Sequence, residues 1–330
     1  MQIGNLRLTL PALLAPMSGI TCLPYRMLNR AFGCECAFLE MINARALHYC
    51  TKRTHQLMPT QKEDRPLGVQ LLGCEQRYVC YAIERLREYQ FDILDLNAAC
   101  PRRKIVTRGE GAALLKDPQR LRDLLKVMVN TSTQPVTVKI RIGWDDAKSA
   151  RDIALYAQDS GIAALFVHGR TCTQSYSGTV DYGAIREIKK SLHIPVIGSG
   201  DIFSVPQAKR MMDETGVDGV LVARGALGNP WIFAQLRAFF KGGLTMGYPE
   251  ITEVVCVMKD HLDAFIALYG ERRGILKYRK FLIWYTRGFS RVKQIRHRAQ
   301  QVKTQDETVA LIEEFKGCAR RYPSCVTRPA

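Results

Sequence analysis

None of the eleven cysteines is spaced Cys-x-x-Cys with another, so the sequence suggests neither a disulfide framework nor a zinc or iron-sulfur site. With an odd count as well, a reducing cytosol is the expected compartment, and no metal is expected. No run of about eighteen uninterrupted apolar residues occurs, which gives no reason to expect a membrane span. The apolar stretch from Leu6 to Ile20 is broken by Pro11 and Pro16 and nearly lacks a basic leader, so it reads as a buried first strand rather than a signal segment. Low-complexity tracts are missing, and so is a Gly-x-Gly-x-x-Gly dinucleotide fingerprint. Acidic residues are in short supply, 31 against 48 Lys and Arg, which leaves a net charge of +17. Neutralising phosphates is the commonest reason for such self-repulsion, so nucleic acid is the expected partner; solubility or an acidic membrane surface is the bland alternative.

What is present is a repeated βα pattern. Eight short runs rich in Val, Ile and Leu are expected to be strands: Ala12 to Ala15, Ala37 to Glu40, Leu67 to Leu72, Asp92 to Asn97, Val136 to Arg141, Ala164 to His168, Pro195 to Ser199 and Asp218 to Ala223. Their near-continuous apolarity suits parallel strands covered on both faces. Helical spacing lies between them, at Glu75 to Tyr89, Pro118 to Asn130, Ala150 to Ser160, Tyr182 to Ser191 and Val205 to Thr215. Eight such units close an α/β TIM barrel, preferred here to a doubly wound open sheet, which seldom needs eight regular units.

The 330 residues exceed the roughly 250 that a barrel uses, leaving room for a second lobe. Lys241 to Glu250, with three glycines and Pro249, reads as the linker, so the barrel is expected over 1–241 and a helical bundle over 251–330. In the second region Val254, Val257, Met258, His261, Leu262 and Phe265 keep helical spacing. Residues 271–300 hold ten Lys or Arg against Glu271 alone, a balance of +9 within the total of +17. Tyr278, Phe281, Trp284, Tyr285 and Phe289 are interleaved with them and could either stack on bases or form the bundle core.

Barrel enzymes gather their chemistry at the carboxyl ends of the strands. Those ends hold Pro16, Met17 and Ser18, then Gln70, Asn97 and Cys100, Lys139 and Arg141, His168 and Arg170, Ser199-Gly200-Asp201, and Ala223-Arg224-Gly225. The last two are small-residue turns where barrels commonly bind phosphate, and Arg224 would add a bidentate cation. Lys139 within a strand needs an anionic partner, either a ligand or a carboxylate such as Asp95. Cys100 follows the fourth strand directly, is held by Pro101 and is followed by Arg102, Arg103, Lys104 and Arg108. A thiol there can give up a proton, with nearby cations stabilising the thiolate, or it can attack as a nucleophile.

Taken in order, these residues resemble the tRNA-dihydrouridine synthases, and the likeness covers most of the chain. It is carried by Ala15-Pro16-Met17, Gly68-Val69-Gln70, Asn97 to Pro101 with Lys104, Val138 to Arg141, His168 to Thr171, Gly200-Asp201 and Arg224-Gly225. The bacterial B-type subgroup is the most similar. The resemblance implies a cytoplasmic flavoenzyme that acts on tRNA with no stable protein partner. FMN would be held by Pro16, Met17, Ser18, Gln70, Lys139, His168, Ser199, Gly200, Asp201, Ala223 and Arg224, and NADPH or NADH would reload it transiently. Asn97, Arg170 and Tyr176 would bind the uracil edge, while Cys100 protonates C5 as hydride reaches C6. One position departs from the family pattern: Ala99 stands where glycine is usual, a source of strain if φ is positive there. The rivals are a flavin barrel reducing a free pyrimidine, as dihydroorotate-type dehydrogenases do, and an RNA-binding barrel without catalysis. The tRNA position, the preferred nicotinamide nucleotide and the oligomeric state are not legible.

Overall fold

A computed structural model describes residues 1–49 and 57–321. Eight strands make the barrel: β1 (Ala12–Leu14), β2 (Cys36–Phe38), β3 (Leu67–Leu72), β4 (Ile93–Ala98), β5 (Val136–Arg141), β6 (Ala164–His168), β7 (Val196–Ser199) and β8 (Gly219–Val222). Each pairs in parallel with its neighbour in sequence; β8 returns to β1, and the pairing of β2 with β3 completes the ring. The expected TIM barrel is therefore the observed one. The strand ends differ from expectation by a residue or two, as at β7, which starts after Pro195 because proline has no N–H to give the ladder.

Alternation along the strands divides the core. Leu13, Phe38, Ile93, Phe166, Ile197 and Leu221 form one buried cluster, with Phe38 and Phe166 meeting edge to face at 5.6 Å. Gly68 makes room for this plug, because a Cβ there would stand 2.2 Å from the Phe38 ring. The opposite strand faces meet the surrounding helices, which include α1 (Leu23–Ala31), α2 (Gln76–Leu86), α3 (Pro118–Thr131), α4 (Ala150–Gln158), α5 (Tyr182–Ser191) and α6 (Val205–Thr215). Each of the last five falls within a residue or so to a few residues of its sequence expectation. In α2 the inward stripe is Val79, Ala82, Ile83 and Leu86, and in α3 it is Leu121, Leu124, Leu125 and Met128. Asp117 and Asp181 cap α3 and α5 by accepting from Arg120 N and Ala184 N.

Beyond the barrel come α7 (Trp231–Gly242), α8 (Ile251–Tyr269), α9 (Glu271–Tyr285), α10 (Lys293–Ala299) and α11 (Gln305–Cys318). Residues 243–250 carry no regular element, in keeping with the glycines there. On α8 the residues with helical spacing are buried, and α8 and α9 pack on α1, where Tyr25 meets Phe281 at 5.3 Å and His261 at 6.1 Å. One apolar cluster runs from the outer barrel strands through these helices without interruption. Tyr278, Phe281, Tyr285 and Phe289 are buried in it, which settles their open reading: they are core, and only Trp284 of the five keeps partial exposure. Residues 322–330 of the expected second lobe lie outside the described residues. No helix among the described residues is long and apolar enough to cross a membrane.

Candidate active site

Closing the barrel brings the strand ends to one mouth, where a cavity of about 370 Å³ opens above the Phe38–Phe166 plug. That size falls within the range of small-molecule sites. Its wall includes Pro16, Met17 and Ser18 after β1, Gln70 on β3, Asn97 and Cys100 at β4, Lys139 on β5 and His168 on β6. Tyr176, Ser199, Gly200, Asp201, Ala223 and Arg224 complete the set expected from sequence, with one exception. Arg170 does not line the cavity.

Arg170 is almost fully buried behind the wall, and its donors are already committed. Nε donates to Ser177 O at 3.0 Å, Nη1 to Asp201 Oδ1 at 3.1 Å, and Nη2 to Gly178 O and Asp201 Oδ2. In this structure its donors hold Asp201 and the 177–178 loop, whereas the sequence reading places it on a uracil edge. Asn97 is likewise more engaged than expected. Its Oδ1 accepts from Ala99 N at 3.1 Å and Cys100 N at 2.9 Å, so the side chain shapes the turn that presents the thiol. Only the second N–H of its amide remains for a ligand, since the first donates to Gln70 Oε1 at 2.8 Å.

The chain of bonds continues inward. Gln70 Nε2 donates to Asp95 Oδ2 at 2.7 Å, and Thr137 Oγ1 donates to Asp95 Oδ1 at 2.7 Å. Burial lifts the Asp95 carboxyl to about 7, against the two donors that favour its ionised form. Asp95 thus anchors the amides rather than forming an ion pair with Lys139. Among the described residues the Lys139 ammonium has no hydrogen bond and no ion pair, and burial followed by the Arg141 charge pulls it down to about 8. Burial, with Lys139, Arg141, Arg170 and Arg224 around it, holds His168 well below the usual histidine range, so its ring is neutral.

Arg141, a strand-end residue given no role in sequence, clamps the mouth. Its Nε donates to Ala99 O at 2.7 Å and its Nη1 to Thr171 O and Ser175 O, joining the cysteine turn to the loop after β6. Ala99 has no positive φ, so the departure from glycine costs no backbone strain. The Cys100 thiol is half-exposed on the wall, near enough to Lys139 and Arg141 to act on both electrostatically. Of the basic loop that follows it, only Arg102 reaches the cavity. Tyr176 hangs over the mouth, 53% exposed, with the guanidinium of Arg141 5.5 Å and that of Arg224 5.1 Å from its ring centroid.

At the other end Arg224 donates to Asp201 Oδ1 at 2.8 Å. No hydrogen bond from the backbone N–H of Gly200, Asp201, Arg224 or Gly225 is found among the described residues. Free amides beside an arginine suit an anion, and an unpartnered ammonium suits an electron-rich ring edge.

Comparison with known proteins decides what this arrangement belongs to. The dihydrouridine synthase family model matches residues 13–320. The chain belongs to the dihydrouridine synthase family. A probable tRNA-dihydrouridine synthase of Rickettsia conorii is 37% identical over 89% of this chain and 90% of its own length. The tRNA-dihydrouridine synthase B of Xanthomonas axonopodis pv. citri is 35% identical over 96% and 95%, and that of Vibrio cholerae 34% over 96% and 98%. Among solved structures, this dihydrouridine synthase family member resembles an old yellow enzyme homologue from Zymomonas mobilis, with a TM-score of 0.54 over 74% of this chain and 92% of that one. It also resembles 6-hydroxypseudooxynicotine amine oxidase from Pseudomonas geniculata N1, with a TM-score of 0.56 over 72% and 48%. Sequence identities of 13% and 14% make these two likenesses of fold.

Proposed function

We propose that the protein is an FMN-dependent tRNA-dihydrouridine synthase, which uses NADPH or NADH to reduce the C5–C6 double bond of a uridine in tRNA. The observation that carries this reading is one cavity with the Cys100 thiol on its wall and an unpartnered Lys139 ammonium in the same space. The donor set fits the cofactor. Lys139 is available to the ring edge, where negative charge grows on reduction, while Arg224 and the free amides of the turns after β7 and β8 are available to the phosphate. When bound, flavin supplies the hydride that reaches C6.

The protein's own residues do the rest. Cys100 delivers its proton to C5, and Asn97, fixed through Gln70 to Asp95, holds the turn that aims the thiol. Lys139 and Arg141 stabilise the thiolate left behind. Neutral His168 offers a ring nitrogen to the cofactor without adding charge, and Tyr176 covers the base and sheds water from the mouth. The helical region from residue 251 onward is the RNA-binding surface, and the protein works on free tRNA in the cytoplasm with no obligatory protein partner. Mass-spectrometric mapping of dihydrouridine in tRNA from cells with and without this chain tests the reading: one uridine position should lose its modification, and an unchanged map would exclude the activity.

A further inference from the structure

A second, narrower cleft of about 50 Å³ opens where the loop after β8 meets the end of α9. It shares Phe203, Arg224, Gly225 and Leu227 with the larger cavity, so the two communicate through one wall. The far side is Trp284 and Arg287. Gly228, at φ +69, lets the two segments touch, because a Cβ there would lie 2.4 Å from the Trp284 carbonyl carbon. The seam is built to hold Arg287 close to Arg224.

Arg287 is half-buried, its guanidinium 6.0 Å from the Trp284 ring centroid, and among the described residues it has neither a side-chain hydrogen bond nor an ion pair. Burial, then the charges of Arg296 and Arg224, hold it below the usual arginine value. Neither neighbour relieves it. Arg296 donates to Thr286 Oγ1 and O, and Arg224 to Asp201. Glu253 does not line the cleft and is engaged by the indole of Trp231, which does. Partly desolvating a cation beside two others with no counter-ion is unfavourable unless an anion enters. The space holds a few waters or one tetrahedral anion, and is too small for a base.

We propose that Arg287, with Arg224 on the shared wall, forms a phosphate-binding site at the seam between the barrel and the helical region. The planar fork of arginine matches phosphate oxygens in pairs. Two sources carry that group, the phosphate of the flavin nucleotide and a phosphodiester of the bound RNA, and the assignment rests on the function proposed above. The test uses Arg287→Met, Arg287→Lys and, as a charge control on α3 of the barrel, Lys126→Met. Apoprotein is titrated with FMN and with riboflavin, which lacks the phosphate, and each protein is titrated with tRNA across a salt series.

If the cofactor supplies the phosphate, Arg287→Met weakens FMN roughly tenfold and leaves riboflavin unchanged. If RNA supplies it, both flavins bind as before, and the salt slope of tRNA binding falls by about one. In either case Arg287→Lys keeps most of the wild-type behaviour and Lys126→Met all of it. Wild-type affinity for FMN, riboflavin and tRNA in Arg287→Met overturns the site. So does an equal loss of FMN and riboflavin, which would make Arg287 a packing residue. A wild-type protein that binds neither flavin defeats the cofactor reading instead, and the tRNA series then decides the site alone.

Discussion

The thiol of Cys100 and the ammonium of Lys139 face the same cavity with different neighbours, and that difference separates their tests. Cys100→Ala removes the proposed proton donor, whose turn is held by backbone N–H bonds to Asn97 Oδ1, so fold and flavin content should persist. Single-turnover reoxidation of the reduced flavin by tRNA should slow by about 10²–10⁴-fold, and an unchanged rate would remove Cys100 from the chemistry. For Lys139 the folded value of about 8 lies below its ordinary 10.5. Between those values the unfolded chain binds the proton that the folded one has released, so the cofactor-free protein gains stability as pH climbs from about 8 to 10. Lys139→Met should abolish that rise and raise stability at pH 7, as urea midpoints at the two pH values will show; an identical rise in the variant counts against it. Most of these residues were legible because a strand-end position is visible in sequence. The bonds that Arg170 and Asn97 make were not, because sequence shows where a side chain starts and not which carbonyls and amides consume its hydrogen bonds. Thr137 was hidden for the same reason, and Asp95 was named only as a possible partner of Lys139, not as the anchor of Gln70.

Among the elements, α8 and α9 are fastened to α1 around His261. This side chain is fully enclosed, with Nδ1 2.9 Å from Tyr285 Oη and Nε2 without a partner among the described residues, and burial drives its pKa to about 3. The unfolded chain binds a proton near pH 6.5 that the folded one refuses, so this residue costs stability as pH falls from about 6.5 toward 3. Asp95 works in the opposite sense: raised to about 7, it favours the folded state as pH falls through 7 toward 4. The two partly cancel in the wild type. His261→Gln, which keeps a partner for Tyr285, should shift the pH 5 urea midpoint upward relative to the pH 7 one, and parallel midpoints in the two proteins would contradict the enclosed neutral ring. Of the helices at this seam, α1 was not among those expected, whereas α8 was readable from its helical spacing. The seam itself was not, because Tyr25 and His261 are distant in sequence, and nothing in the spacing says that α8 turns its apolar stripe toward α1.

The charge of the whole molecule can be divided more finely with the structure than without it. Of the ten cations between residues 271 and 300, Arg279 donates to Val302 O, Lys280 to Gly19 O and Arg296 to Thr286, while Arg298 pairs with Glu314. Arg272, Arg273, Arg291 and Lys293 stay exposed. Neutralising these four should weaken tRNA binding and lower its salt slope by as much as roughly three, with flavin reduction by NADPH unaltered. Filter binding across a salt series measures both, and a wild-type slope would confine these cations to solubility. The apolar cluster shared by the barrel's outer strands and the helices beyond it has a different consequence, a thermodynamic one. Two lobes that own one core melt as one cooperative unit, so flavin release, loss of helix signal and loss of tRNA affinity should follow a single transition on heating. In such a molecule the helical part proposed to grip RNA cannot be loosened without also opening the candidate pocket at the barrel mouth.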